Sequence, residues 1–222
     1  MKIILEIRAA EGGEDSKLFI KDLAQSYIKM FERVSWKYNI IDFKTNEIFI
    51  SVEGDNLTKL FNECGGHRIQ RIPPTEKKGR VHTSTVTVAV LEEQSFFLEI
   101  KDSDLKIEWY SGTGSGGQHR NKHQNSCRMT HVPTGITVTS QCRSRQNSYK
   151  ECRTTIENII KTNLQKKFEQ EISLDRKYKV GSGMRGDKVW TYRFQDDIVQ
   201  DHNTNKKSTC KKVLNGNFEL LW

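Results

Sequence analysis

The stretch best suited to chemistry is Gly116-Gly117-Gln118, inside Ser111-Gly112-Thr113-Gly114-Ser115-Gly116-Gly117-Gln118-His119-Arg120-Asn121-Lys122. Small residues precede one glutamine and basic residues follow it. Glycine tolerates positive φ and lets another backbone come close, so Gly116 and Gly117 can aim the main-chain N–H of Gln118 in a direction bulkier residues forbid. An N–H aimed at a developing negative charge is an oxyanion donor, worth about 3–4 kcal/mol of transition-state stabilisation when held rigidly away from water. No side-chain base is required. A surface turn that happens to hold a glutamine is the alternative reading. Gly112, Gly114 and Gly117 also space as G-x-G-x-x-G, but a dinucleotide site needs an amphipathic helix next and an acidic residue about 20 positions on. Residues 118–125 contain no apolar side chain, which excludes it.

A second candidate runs from Gly65 to Thr83, between a short helix and the strand pattern of Val86, Val88 and Val90. Pro73 and Pro74 stiffen its middle. Gln70, Thr75 and Thr83 can each donate and accept hydrogen bonds, and His82 can stack, so the loop suits base edges. A basic surface loop braced by proline remains the alternative. A third candidate is the helix start after Gly12-Gly13, where uncovered backbone N–H groups can meet acceptor atoms, as against ordinary capping.

These candidates need elements to carry them. Residues 3–7 read as a strand. Phe19, Leu23, Tyr27, Met30, Phe31 and Val34 recur at helical spacing over Glu14 to Arg33, with Glu14 and Asp15 complementing the helix dipole. Alternation at Trp36, Tyr38 and Ile40 and at Ile48, Ile50 and Val52 predicts a hairpin, followed by a short helix from Asn56 to Asn62. Residues 95–110 predict two more strands, and Pro133-Thr134-Gly135 turns another hairpin. A helix from Asn147 to about Glu171 carries Cys152, Ile156, Ile159, Ile160, Leu164 and Phe168 as a core stripe. Residues 180–186 read as a linker, 189–194 as a strand, and the apolar end Phe218 to Trp222 docks back on the first unit, making it discontinuous.

Net charge is +8, with 35% hydrophobic and 29% charged residues in 222. The balance is −2 over residues 1–110, +8 over 111–184 and +2 over 185–222. A basic excess beginning at the glycine loop fits a polyanionic partner. Five cysteines without C-x-x-C predict reduced thiols, with neither a disulfide framework nor a zinc site. No leader pattern and no apolar run of about 18 residues is present, so a cytoplasmic protein with no membrane association is expected.

Together these stretches resemble the bacterial class I peptide-chain release factors of the UAA/UAG-reading type, over nearly the whole chain and in the family's order. Leu5-Glu6-Ile7-Arg8-Ala9 with Gly12-Gly13-Glu14-Asp15 is similar to the start of the family's codon-reading domain. Gly65 to Ser84 resembles its recognition loop, with Pro73-Pro74-Thr75 matching the Pro-x-Thr tripeptide rather than Ser-Pro-Phe. Gly116-Gly117-Gln118 matches the defining tripeptide. Gly186-Asp187, Thr191 to Phe194 and Asp201-His202 resemble the return into the codon-reading domain.

The resemblance implies an α+β fold: a discontinuous codon-recognition domain, 1–104 plus 185–222, with an inserted small α+β domain over 105–184 that carries Gly116-Gly117-Gln118. It implies that Gly12 and Asp15 meet the first uridine through backbone groups. Thr75, in the tripeptide with Pro73 and Pro74, would bond the first two bases, His82 would stack beneath the second, and Gln70 and Thr83 would take the third. Gln118 would enter the ribosomal peptidyl-transferase centre and promote hydrolysis of peptidyl-tRNA in the P site. Its side chain is the family's site of N5-methylation, which implies a glutamine methyltransferase as partner. Arg120, Lys122, Arg143 and Arg145 would hold RNA phosphates. Residues 181–186 and the stretch near Asp102 would be hinges. The implied partners are the ribosome's decoding and peptidyl-transferase centres and the messenger stop codon. The resemblance also implies a monomer that needs no cofactor or metal and is no free-standing enzyme. The chain would begin after the family's N-terminal helical domain of roughly a hundred residues. Shortened relatives that rescue stalled ribosomes without codon reading are one alternative; the intact codon loop favours codon reading. A non-catalytic RNA-binding decoy is the other.

Overall fold

In β1 (Lys2–Ala9), Ile3, Leu5 and Ile7 alternate along the strand and are wholly buried. A computed structural model describes residues 1–93, 100–115, 117–184 and 186–222, with backbone alone at 119 and 120. The chain divides into two compact units, Met1–Gln94 with Ile172–Trp222, and Ser95–Glu171.

In the first unit β1 pairs antiparallel with β3 (Glu47–Glu53) on one side and β5 (His82–Glu92) on the other. The edge strand β2 (Lys37–Phe43) forms the expected hairpin with β3. Beyond β5 come β4 (Gly65–Arg71), then β9 (Trp190–Arg193), β10 (Ile198–Asp201) and β11 (Lys207–Ser208). β4 and β9 run parallel, and all other pairings in this sheet are antiparallel. One face is covered by α1 (Glu14–Arg33), whose Phe19, Leu23, Tyr27 and Phe31 are buried at the spacing that the sequence predicts. Phe218 and Leu221 complete this core, so the far end of the chain closes over the first helix. At about 25 cal/mol per Å² of apolar surface, each such side chain contributes roughly 1.5–3 kcal/mol.

The second unit holds a three-stranded antiparallel sheet of β6 (Leu105–Tyr110), β7 (Ser126–His131) and β8 (Ile136–Ser140). The other strand expected before β6 falls on residues 94–99, outside the described residues. α2 (Gln118–Lys122) is one short helix between β6 and β7. α3 (Arg145–Val180) packs Cys152, Ile156 and Ile160 on Cys127 and Met129 of β7. Ile159 and Leu164, which the sequence places in the same stripe, are exposed.

α3 extends well beyond Glu171, and the boundary between units falls at 171/172 rather than at 184/185. The physical cause is long-range: Arg176 meets the buried Glu6 of β1 through two 2.6 Å hydrogen bonds, and Lys179 donates to Val90 O at 3.1 Å. Those contacts bring the last helical turns into the first unit. The other boundary falls at 94/95, before the expected 104/105.

Candidate functional sites

The stretch expected to be one long loop is mostly a hairpin. β4 and β5 flank it, and only residues 72–81 are irregular. Gln70 and Thr83 are direct cross-strand partners, as are Arg71 and His82. Partners opposite one another share a face, so Gln70 and Thr83 stand side by side. Pro73 is buried at the base while Pro74 and Thr75 are exposed at the tip, and Glu76 N closes a turn on Pro73 O at 3.0 Å.

Glu76 organises the tip. Its Oε1 accepts from Lys78 N at 2.7 Å, and its Oε2 lies 2.7 Å from His82 Nε2 and 3.1 Å from Arg80 Nη2. The Lys78 main-chain bond first, then Arg80 and His82, hold its carboxyl below the usual range. His82 is thereby tethered at one nitrogen. The sequence reading assigns no role to Glu76; its i,i+4 spacing to Arg80 is the only local signal.

The helix start meets this hairpin at its root. Gly12 has φ +124°, and a Cβ there would lie 2.7 Å from Ser84 Cα, so a larger residue cannot fit. Ala10 N donates to Thr85 O at 3.0 Å and Thr85 N to Glu11 O at 2.6 Å. Gly13 caps α1 without a side-chain bond. Asp15, 3% exposed, accepts from Arg71 Nε at Oδ1 and from Ser84 Oγ at Oδ2, both at 2.8 Å. Arg71 also donates to Asp22 at 2.8 Å and sits over the rings of Phe19 and Phe194. Gly12, Asp15, Gln70, Thr83 and His82 therefore share one hairpin root, with Pro74 and Thr75 carried beyond it. The structural weight of Asp15 and Arg71 escapes sequence reading, because their contacts join positions 56 apart.

In the second unit Gln118 is exposed and opens α2. Gly116 lies outside the described residues, as does the side chain of Arg120. A Cβ at Gly117 would meet nothing within 4 Å, so no contact within the described chain demands glycine there. The loop is tied down at both ends. Thr113 N donates to Gln141 Oε1 at 3.2 Å and Gln141 Nε2 to Thr113 Oγ1 at 3.1 Å, while Asn125 Nδ2 donates to Arg143 O at 3.0 Å. A cavity of about 240 Å³ lies beneath, lined by Gly112, His123, Asn125, Gln141 and Arg143 among others. Lys122, Arg143 and Arg145 are exposed, and the Arg145 guanidinium stacks 4.1 Å above the Trp109 ring. Nearby, Cys142 Sγ and Ser140 Oγ donate to Glu151 at 2.9 and 2.6 Å, which holds that carboxyl low.

Two family profiles cover almost the whole chain: the PCRF domain matches residues 1–88 and the RF-1 domain residues 92–203. The chain belongs to the peptide chain release factor family. Relatives named Peptide chain release factor 1 include those of Hydrogenobaculum sp., 42% identical over 98% of this chain and 64% of that protein, and Malacoplasma penetrans, 41% identical over 99% and 64%. That of Thermotoga maritima is 38% identical over 99% of this chain and 67% of its own length. Among solved structures, RF2 of Thermus thermophilus superposes with a TM-score of 0.56 at 28% identity, over 98% of this chain and 65% of that one. The chain thus spans about 64% of the length of the release factors it first matches. No helix among the described residues is long and apolar enough to cross a membrane.

Proposed function

We propose that the chain terminates translation, reading UAA and UAG through the hairpin root and promoting peptidyl-tRNA hydrolysis through Gly116-Gly117-Gln118. The observation that carries this reading is the make-up of one hairpin: its root holds the uncapped start of α1 on one face and the paired Gln70 and Thr83 on the other, and its tip around Thr75 is exposed. Amide and hydroxyl groups that can rotate between donor and acceptor suit a third position that is either A or G. The backbone of Gly12 and Asp15 would take the first uridine, Thr75 the first two bases, and the His82 ring the second. The first unit is then the codon-recognition domain and the second the catalytic one.

At the other end the exposed Gln118 would reach the ester in the ribosome's peptidyl-transferase centre. Water adds to the ester carbonyl and the bond to the tRNA ribose oxygen breaks, with the departing oxygen taking up a proton. The Gln118 main-chain N–H would stabilise the negative charge on oxygen along that path. Open space beside Gly117 supports a requirement for glycine imposed from outside, by close packing against RNA. Lys122, Arg143 and Arg120 would hold phosphates; Arg145, already stacked on Trp109, would do so with its outer edge. The Gln118 side chain is exposed as an N5-methyltransferase would require.

Release assays on ribosomes carrying UAA, UAG, UGA, a sense codon or no codon test the reading. Rapid release on UAA and UAG alone is expected. Equal release on an empty A site would replace the proposal with codon-independent rescue, and binding without release would replace it with a decoy.

A further inference from the structure

Residues 111–125 carry no apolar side chain, and a cavity of about 240 Å³ borders Gly112, His123 and Asn125. Hydrogen bonds rather than core packing must therefore hold the Gln118 loop in place. Its two legs come to the same spot. Five positions before Gln118, Thr113 N donates to Gln141 Oε1 at 3.2 Å, and Gln141 Nε2 donates to Thr113 Oγ1 at 3.1 Å. Seven positions after Gln118, Asn125 Nδ2 donates to Arg143 O at 3.0 Å. Gln141 and Arg143 follow directly on Ser140, where β8 ends. A main-chain N–H can only donate, which fixes the Gln141 amide with its oxygen toward Thr113 N and its nitrogen toward the hydroxyl. One planar side chain thus grips both the backbone and the side chain of Thr113.

The segment that does the gripping is itself anchored to the core of the second unit. Ser140 Oγ and Cys142 Sγ donate to Glu151 at 2.6 and 2.9 Å, and Cys142 N donates to the buried Ser148 Oγ at 3.0 Å. Arg145 stacks on Trp109, near the end of β6, where the chain runs into the loop. Ser148 and Glu151 lie on the first turns of α3, beside the wholly buried Cys152 and Ile156. The core thus fixes α3, α3 fixes residues 140–143, and Gln141 fixes Thr113. Supporting contacts of this kind matter to a reactive group because a displacement of about 1 Å can cost roughly a hundredfold in rate.

We propose that Gln141 is a positioning residue for peptide release: its two-bond hold on Thr113 keeps the main-chain N–H of Gln118 where it acts on the ester. The inference rests on the catalytic role proposed for Gly116-Gly117-Gln118. Gln141 and Thr113 are both exposed, so their bonds exchange readily with water and contribute little to the stability of the whole unit. Their effect falls on the loop. A loop freed from Gln141 must be ordered again each time the transition state is reached, which lowers the rate at saturation. Binding through the first unit is left as it was.

The test is single-turnover peptide release from UAA-programmed ribosomes, titrated with the full chain. Gln141→Met keeps the length of the side chain without its amide and should lower the saturated rate about tenfold, with the half-saturating concentration and the melting temperature kept. Thr113→Val retains the main-chain N–H but loses the hydroxyl, and should lower the rate about threefold. Thr113→Ser should restore it. Added to Gln141→Met, Thr113→Val should change nothing further, because the bond it removes is already gone. A Gln141→Met protein with the wild-type saturated rate overturns the proposal. So do additive losses in the double variant, or a rise in half-saturating concentration alone, which would make Gln141 a direct contact to RNA. Gly117→Ala in the same preparation keeps the two claims apart. Normal release by that variant sinks the catalytic role of the loop itself, whereas its failure beside a normal Gln141→Met sinks only the positioning role.

Discussion

Asp15 Oδ1 accepts a 2.8 Å hydrogen bond from Arg71 Nε, joining the first turn of α1 to the last residue of β4. The second oxygen of the same carboxylate takes the Ser84 hydroxyl of β5, so one buried group holds both legs of the hairpin against the helix start. Removing one partner of a buried pair costs about 3–5 kcal/mol, because the survivor is left charged and dry. Asp15→Asn and Arg71→Ala should each lower stability by about 3 kcal/mol, and the double variant should be little worse than either. Arg71→Lys should fail to restore it, since an ammonium cannot offer separate N–H groups to Asp15 and Asp22 in fixed geometry. Urea unfolding of the four proteins checks this; additive losses would show the two residues to be independent.

Gly12 and Gly117 should separate stability from activity. A Cβ at Gly12 collides with Ser84 and the φ of +124° is strained for any other residue, so Gly12→Ala should cost about 1–3 kcal/mol and shift the melting temperature down. Gly117→Ala meets open space and should melt like the wild type while losing nearly all release. Calorimetry beside single-turnover release distinguishes them. A Gly117→Ala protein that releases normally would remove the catalytic role of the loop.

Much of the first unit is legible in the sequence, because its signals are local. The periodic apolar residues of α1 and the alternation in β2 and β3 need only neighbours along the chain. β4 is missed for the opposite reason: Gly65-Gly66-His67-Arg68 has no apolar alternation, and His67 is accepted in the core because Tyr192, 125 positions away, and the Glu63 carbonyl bond its ring. The continuation of α3 past Glu171 likewise depends on Glu6 at the far end of the chain. At the sites, Gln70, Thr75 and Thr83 are recognisable by side-chain type. That Gln70 faces Thr83 directly is a matter of register, which no residue type reports.

Glu63 should give stability a measurable pH slope. It is wholly buried, and burial pushes its carboxyl up to about 8 against the bonds from Trp222 and Tyr27 that favour the charged form. A raised carboxyl pKa means that the folded chain holds a proton the unfolded chain has lost, so stability falls between the unfolded value of 4.5 and about 8 and levels off above. His67, lowered to about 4, is common to the wild type and Glu63→Gln, so its own titration cancels when the two are compared. From pH 6.5 to 8 the wild type should therefore lose about 2 kcal/mol relative to Glu63→Gln. Parallel pH profiles for the two proteins would mean that Glu63 does not titrate in this window.

Glu76 should control affinity rather than the rate of the chemical step. It binds Lys78 N, Arg80 and His82 from one side chain that is 6% exposed, and so orders the tip before any ligand arrives. Without it the tip must be ordered on binding, and each rotamer-rich side chain fixed at that moment costs about 0.5–1.5 kcal/mol. Glu76→Ala should then weaken half-maximal release on UAA ribosomes by roughly tenfold, with the saturated rate kept. Glu76→Gln retains an acceptor for Lys78 N but offers Arg80 and His82 no charge, so it should fall between the two. Because the same carboxylate is held low by those partners, the ordering it provides is present above the ordinary range of a glutamate and is lost as pH falls through its folded value. Titrating release against factor concentration for both variants settles the matter: a fall in the saturated rate with unchanged half-saturation would place Glu76 in the signal to the catalytic unit instead of in the reading of the codon.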